Sequence, residues 1–242
     1  MKRAAFIVST GRTGTLALTR IINERVEDAW SQHEPKPAFR RRSKRILREG
    51  HSKQDALYFL ASRRSWQALH SESWYVESNH NVFPAIPMIR SVLPDAVIVH
   101  VIRDGRATVT SWLNRYSYIR TRNLTPMDRP GDPAVEHWER WNPLQKTAWY
   151  WVMTNEVIAA AKPDLTIHFE ELFHESGDGL VRLLEPLEGV RYDREALREA
   201  VAVKHHPSSN VLFPPYRDWP EVWKRQFEEI AGEAMTRHGY SS

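Results

Sequence analysis

Five residues near the start of the chain have the types and spacing of an oxyanion-binding loop. They are Gly11-Arg12-Thr13-Gly14-Thr15, between a short apolar run and a segment with helical periodicity. Glycines let the backbone approach a ligand closely, successive N–H groups can face it, and the N-terminus of the following helix favours negative charge. The loop therefore predicts an anion site. Taken alone, the segment also fits a turn that only joins a strand to a helix.

The loop differs from the nucleoside triphosphate loop G-x-x-x-x-G-K-[ST]. No lysine precedes Thr15, and only two residues separate Gly11 from Gly14. The sequence therefore disfavours ATP hydrolysis.

A second polar segment, Arg103-Asp104-Gly105-Arg106, follows the most strand-like run of the chain, residues 96–102. Ser111 lies in the helix predicted to come next. Parallel sheets bind ligands at the carboxyl ends of their strands. Two strand ends of one sheet would thus offer ligands to an anion.

The elements that position these loops alternate between strand and helix. Helices are predicted after the first loop and at 40–69, 82–93, 105–114, from 134 or 143 to 161, 178–188, 193–203 and 220–238, and strands at 4–8, 74–77, 96–102 and 165–169. Residues 29–39 contain two prolines and are predicted to be a loop. The alternation predicts an α/β fold in three layers, with a central, mostly parallel sheet flanked by helices. We expect one domain over residues 1–242.

Together the two loops resemble those of the sulfotransferases that use 3′-phosphoadenosine 5′-phosphosulfate (PAPS), in particular the bacterial and carbohydrate enzymes. The first is similar to their 5′-phosphosulfate loop, and the second to the strand-Arg…Ser signature that holds the 3′-phosphate. Weaker similarities run through residues 83–96, 167–190 and 219–240. The resemblance implies a P-loop nucleotide-binding-like fold. It also implies transfer of a sulfuryl group from PAPS to a hydroxyl or amine of a small-molecule or glycan acceptor, with PAP as product.

The resemblance assigns roles to residues of both loops. Residues from Gly11 to Leu16 would surround the phosphosulfate, with Arg12 stabilising charge on the bridging oxygen, while Arg103 and Ser111 would hold the 3′-phosphate. The Arg-Lys-Gly phosphate clasp of the animal cytosolic enzymes has no clear counterpart in this chain. The candidates for that role are Lys204, Ser208 and Arg217.

Two residues compete for the role of general base, which must remove a proton from the acceptor. Glu34, in His33-Glu34-Pro35, lies about as far after the loop as the glutamate that looks like the base of carbohydrate and tyrosylprotein sulfotransferases. His80 lies close to where the animal cytosolic enzymes carry their basic histidine. We rank Glu34 first; a solvated carboxylate and a packing or capping histidine are the structural alternatives. Glu77 is predicted to pair with an arginine.

Composition limits the remaining possibilities. A net charge of +4 with a pI near 9.4 suggests an anionic ligand but not a dedicated nucleic-acid binder. With no cysteine there is no disulfide or zinc-thiolate site, and cytoplasm is the expected compartment. No apolar run approaches the ~20 residues of a membrane span. The histidines show no metal-ligand spacing, so no metal is expected, and core packing is expected for most of the ten tryptophans.

Two other functions fit parts of this pattern. A non-catalytic nucleotide or polyanion binder would keep both phosphate sites without turnover, but the presence of both Glu34 and His80 argues against it. A P-loop kinase is disfavoured by the missing lysine and by a second loop that lacks an apolar run into a magnesium-binding aspartate. The acceptor is expected to meet residues 29–70 and 115–142.

Overall fold

A five-stranded, entirely parallel sheet forms the centre of the fold. The computed structural model describes residues 3–35, 39–114, 124–202 and 213–241, and among them it leaves out the side chains of residues 65–67. The strands of the sheet are β1 (Arg3–Val8), β3 (Ala29–His33), β4 (Trp74–Ser78), β5 (Val97–Ile102) and β6 (Leu165–His168), in the order β3-β4-β1-β5-β6. A small antiparallel sheet pairs β2 (Val26–Glu27) with β7 (Arg191–Tyr192).

Helices connect and cover the strands. In the described ranges they are α1 (Thr15–Arg25), α2 (Arg40–Glu49), α3 (Lys53–Ala68), α4 (Ile86–Val92), α5 (Gly105–Leu113), α6 (Pro143–Ala160), α7 (Phe169–Leu172), α8 (Asp178–Leu184), α9 (Arg194–Ala202) and α10 (Glu221–Arg237). Short 3₁₀ turns occupy His80–Ala85, Pro126–Asp128, Pro133–Glu136 and Tyr216–Asp218. None of the helices in these ranges has the length and apolarity needed to cross a bilayer.

Two apolar cores lie on opposite faces of the sheet. Alternate residues of β1 supply them: Phe6 belongs to the core that also contains residues of α2, α3, α4 and α6, whereas Ile7 belongs to the core that also contains residues of α1, α8 and α9. A third core joins α5, α6 and α10 beside β5. Because strand side chains alternate between faces, one apolar run such as β1 can supply both layers. The three-layer α/β prediction is confirmed.

The predicted loop over residues 29–39 is wrong in its first half, where the chain forms strand β3. Residues 29–33 pair in parallel register with β4, from Ala29 opposite Trp74 to His33 opposite Ser78. β3 is an edge strand in which only Ala29 and Ser31 are buried. Its sequence therefore lacks the continuous apolar run that is typical of a central strand. The strand places Glu34 directly at the carboxyl edge of the sheet.

The tryptophans serve mainly in packing. Among those whose side chains are described, five are buried: Trp74, Trp112, Trp149, Trp151 and Trp219. Trp30, Trp138, Trp141 and Trp223 are partly buried and pack against the cores.

Candidate active site

The carboxyl edge of the parallel sheet gathers the polar residues singled out in the sequence. Because all five strands run in the same direction, the segments that follow them emerge at one edge. These segments carry residues 9–14 after β1, Glu34 after β3, His80 after β4, Arg103 after β5 and Phe169 after β6. A ligand at this edge can therefore meet several loops at once.

The loop after β1 holds a conformation that exposes the start of α1. Gly11 and Gly14 have φ angles of 76° and 68°, and Gly14 is the N-cap residue of α1. A Cβ atom on Gly14 would lie 2.5 Å from the ring of Phe173, so a larger residue does not fit. The hydroxyl of Ser9 accepts hydrogen bonds from the Gly11 N–H at 3.0 Å and the Thr13 hydroxyl at 2.8 Å. The loop is thereby fixed with the first-turn amides of α1 at the sheet edge.

Arg12 joins the first loop to the second. Its Nε donates to the hydroxyl of Ser111 at 2.9 Å, and Arg103 Nη1 donates to the carbonyl oxygen of Arg12 at 2.7 Å. The structure thus brings together Arg12, Ser111 and Arg103. The family resemblance had assigned Arg12 to the 5′-phosphosulfate and the other two residues to the 3′-phosphate.

Arg103 is a partly desolvated cation with a donor to spare. Its Nε is buried and has no hydrogen-bond partner among the described residues. The guanidinium lies 4.3 Å from the ring centroid of Phe169, and Trp151 Nε1 donates to the Arg103 carbonyl at 2.9 Å. Burial lowers the pKa of Arg103, while the nearby carboxylates of Glu170 and Asp104 act to raise it. Arginine stays charged in either case, so this buried N–H is suited to an anionic ligand.

Glu34 and His80, the two candidates for the general base, are in direct contact. His80 Nδ1 lies 2.6 Å from Glu34 Oε1, and both side chains are partly exposed. Glu34 has a left-handed φ of 45°, and its N–H donates to the Ser78 carbonyl at 2.9 Å. His80 begins the 3₁₀ turn that Asn79 caps through the Asn81 N–H. Strand ends β3 and β4 together create this carboxylate–imidazole pair.

The pair lies against the first loop. A Cβ atom on Gly11 would come within 2.8 Å of Trp112 Cζ2 and 3.5 Å of His80 Cγ. The rings of His80 and Trp112 meet edge to face with centroids 6.3 Å apart, and the Arg12 guanidinium lies 6.0 Å from the Trp112 ring. The carboxylate–imidazole pair and the anion loop therefore belong to one site.

A buried network supports the end of β4. Glu77 accepts two hydrogen bonds from Arg63, at 2.9 and 2.7 Å, and both side chains are almost fully buried. The Tyr75 hydroxyl and Asn79 Nδ2 also donate to Glu77, each at 2.9 Å. Burial, together with the Glu77 carboxylate, raises the pKa of Tyr75. The predicted structural pairing of Glu77 with an arginine is confirmed.

The remaining candidates have weaker structural support. The Arg217 side chain is 85% exposed and pairs with Asp218 at 3.6 Å. Lys204 and Ser208 lie outside the described residues. Leu16 is largely exposed on the first turn of α1, next to the loop. Sequence reasoning gave no role to His33, because its strand was taken for a loop; in the structure it stands beside Glu34.

No group of three or more potential metal ligands occurs among the residues that the structure describes.

A glycine-containing loop with two arginines, beside a carboxylate–imidazole pair at the same edge of a parallel sheet, fits a group-transfer enzyme, and comparison with known proteins makes the class specific. The sequence model of the Sulfotransferase family matches residues 4–193, a span that includes both loops and the Glu34–His80 pair. The chain belongs to this family. It is a sulfotransferase, an enzyme that transfers sulfuryl groups.

Solved sulfotransferase structures share this fold. Sulfotransferase STF9 from Mycobacterium avium matches with a TM-score of 0.63 and 12% identity over 99% of this chain and 78% of its own. A sulfotransferase from Alicyclobacillus acidocaldarius gives 0.57 and 13% over 100% and 98%. The sulfotransferase domain of the curacin biosynthetic pathway gives 0.54 and 13% over 97% and 98%. No curated protein matches in the sequence comparison.

Proposed function

We propose that the protein transfers a sulfuryl group from PAPS to a hydroxyl or amine of a small-molecule or glycan acceptor. The observation that carries the proposal is the cluster of Arg12, Ser111 and Arg103, in which residues from two strand ends bind each other directly. Such a cluster offers positive charge and hydroxyl donors to two anionic groups of one ligand.

The cluster fits a nucleotide with phosphates at both ends. The buried Nε of Arg103 and the hydroxyl of Ser111 would hold the 3′-phosphate, and the loop amides with Arg12 would hold the 5′-phosphosulfate. PAPS supplies an activated sulfuryl group when it binds. Transfer of such a group depends on alignment and charge stabilisation, so Arg12 and the loop N–H groups would stabilise the negative charge that grows on the leaving phosphate.

We assign the base role to Glu34, with His80 holding its carboxylate. Glu34 is the more exposed partner, with 39% of its side chain accessible against 23% for His80. Its left-handed backbone is a conformation that non-glycine residues adopt where the surroundings enforce it, often at functional sites. The His80 ring packs against the first loop, which favours a supporting role. The reverse division of roles, with His80 as base, is the second candidate because the contact at 2.6 Å is compatible with both.

Transfer of label from [³⁵S]PAPS tests the proposal. The wild-type chain is incubated with phenols, monosaccharides and amines, and label is expected in at least one class. Arg12→Ala should lower turnover about 100-fold while PAP affinity changes by less than about tenfold, because the contact strengthens as charge develops. Arg12→Lys is the control that keeps the charge. If PAP binds but neither labelled acceptor nor free sulfate forms, the proposed transfer to these acceptor classes is wrong.

A further inference from the structure

His33 is a second imidazole close to the Glu34 carboxylate. Its Nε2 lies 3.7 Å from Glu34 Oε1, the same oxygen that His80 Nδ1 approaches at 2.6 Å. The longer distance exceeds that of a hydrogen bond, but an N–H dipole at this range still orients a carboxylate. One carboxylate oxygen is thus flanked by two imidazoles.

The other nitrogen of His33 is held by a chain of hydroxyl groups. His33 Nδ1 lies 2.8 Å from Ser78 Oγ, which lies 3.0 Å from Thr19 Oγ1 and 3.3 Å from the Thr15 carbonyl. Thr19 Oγ1 is also 3.0 Å from that carbonyl. Each hydroxyl has one hydrogen, so the direction of donation decides which contacts are made. Donation away from His33 runs from Nδ1–H through Ser78 and Thr19 to the Thr15 carbonyl, whereas donation towards His33 runs from Thr19 through Ser78 to Nδ1 and leaves that carbonyl without a hydroxyl donor.

The carboxylate decides between these two directions. If Nδ1 carried the proton, the Nε2 lone pair would face the negative Glu34 oxygen. If Nε2 carries it, the N–H faces the carboxylate, Ser78 donates to Nδ1, and Thr19 donates to Ser78. Opposite charges and dipoles favour the second arrangement.

We propose that His33 is a positioning residue: as the neutral Nε2–H tautomer, fixed by Ser78, it orients the Glu34 carboxylate towards His80. The inference rests on the proposed function in that Glu34 is the base. No sequence motif indicates this role, because the contact between His33 and Ser78 depends on the register of β3 against β4.

The surroundings keep His33 neutral near pH 7. Burial lowers its pKa, Glu34 acts to raise it, His80 acts to lower it, and a hydrogen bond with the Ser78 backbone has a smaller raising effect. Thr19 of α1, also in the hydroxyl chain, is uncharged. The balance is a lowered pKa, so the imidazolium that would compete with His80 for Glu34 forms only under acidic conditions.

Nuclear magnetic resonance of ¹⁵N-histidine-labelled wild-type protein tests the tautomer without any activity measurement. The ring nitrogens of His33 are expected to show the Nε2–H form at pH 7.5. Finding the Nδ1–H form or an imidazolium overturns the proposal.

Two substitutions test the positioning itself. His33→Asn keeps a polar atom for Ser78 but does not reach Glu34, and His33→Gln keeps an amide N–H near the Nε2 position. Turnover of PAPS with the best acceptor of the panel should fall about tenfold in the Asn variant and recover to within about threefold of wild type in the Gln variant. The KM for PAPS and the Kd for PAP should stay within about twofold in both.

Wild-type turnover in His33→Asn overturns the proposal, as does an equal loss in both variants. Glu34→Gln, measured beside them, separates this failure from that of the proposed function. If Glu34→Gln keeps wild-type turnover, Glu34 is not the base. If Glu34→Gln loses turnover and His33→Asn does not, only the role of His33 is wrong.

Discussion

Arg12 and Glu34 have left-handed backbones, with φ angles of 63° and 45°. Conformations of this kind cost roughly 1–3 kcal/mol in non-glycine residues and persist where neighbouring contacts impose them. Here those contacts are the hydrogen bonds from Arg103 to the Arg12 carbonyl and from the Glu34 N–H to the Ser78 carbonyl. Asp28 and Lys162 are the other non-glycine residues with such a backbone in the described part of the chain, so two of four strained positions carry residues to which the proposed reaction gives chemical roles.

The base assignment predicts a specific pattern of lost turnover. Glu34→Gln keeps the shape and hydrogen bonding of the side chain but removes the proton acceptor, so turnover should fall about 100-fold or more with nearly unchanged PAP affinity. His80→Asn keeps an amide donor near Nδ1 and should lose less. Steady-state turnover and calorimetric PAP titration of the two variants measure both effects.

The opposite pattern would contradict the assignment. An active Glu34→Gln variant beside an inactive His80→Asn variant would make His80 the base and Glu34 its orienting partner.

The sequence predicted most of the individual residues of the candidate site but not the contacts between them. Arg12 and Arg103 were found because each follows a recognisable strand, and Ser111 was found through resemblance to a family. The Glu34–His80 contact was missed because it needs β3 and β4 as neighbours, and His33 was missed for the same reason. Such contacts between strands depend on sheet register, which a single sequence specifies only through patterns of burial.

Among the elements, β4 places a buried carboxylate next to the site. All five of its residues are buried, including Glu77, whose charge is balanced by Arg63. Asn79, hydrogen-bonded to Glu77, caps the turn that begins with His80. The network therefore links the stability of the strand to the position of the site.

Breaking the Arg63–Glu77 pair should destabilise the fold strongly. Glu77→Gln or Arg63→Met alone should each cost about 3–5 kcal/mol, because a buried group is left without its partner. The double variant should cost clearly less than the sum of the two. Urea unfolding at pH 7 measures all three, and additive costs would show that the pair is not coupled.

Element prediction located four of the five strands of the sheet and missed one of its two edge strands. β1, β4, β5 and β6 were located to within a residue or two; the first three are central strands, which are apolar on both faces in a parallel sheet, and β6 is the other edge strand. In β3 the polar Gln32 and His33 serve the site instead of the core. Local pattern therefore does not reveal that strand.

At the scale of the whole molecule, the two helical layers are tied to the sheet by buried polar groups as well as apolar ones. His100 of β5 is buried, and its Nε2 donates to Asn155 Oδ1 of α6 at 3.0 Å. Burial lowers the pKa of His100 to about 4, against 6.5 in an unfolded chain. The folded protein therefore holds this histidine in its neutral form.

This shift predicts a loss of stability in acid. The imidazole of His100 takes up a proton more readily in the unfolded chain than in the folded protein. The stability that the neutral side chain contributes is therefore fully present above pH 6.5 and is lost as the pH falls towards 4. Each pKa unit corresponds to about 1.4 kcal/mol, which gives a loss on the order of 3 kcal/mol. His100→Gln keeps a donor for Asn155 but does not titrate, so its free energy of unfolding in urea should change less with pH than that of wild type between pH 7 and pH 4.5. If the two proteins lose stability equally steeply over this range, His100 is not the group responsible.

The architecture as a whole was predictable because alternating strands and helices leave few arrangements of a parallel sheet. Resemblance to a family placed Arg12 and Ser111, 99 residues apart, on one nucleotide but did not predict their direct contact. The fold supplies the physical reason, since β1 and β5 are neighbours in the sheet.

The central claim is that the loops after β1 and β5 together bind one nucleotide with phosphates at both ends. Calorimetric titration without magnesium, with PAP and with adenosine 5′-phosphosulfate, tests it most directly, because the second ligand lacks the 3′-phosphate. Charge-assisted hydrogen bonds from Arg103 and Ser111 should make PAP bind about 100-fold more tightly, and Arg103→Ala should remove that preference. Equal affinities of the wild-type protein for the two ligands would contradict the claim.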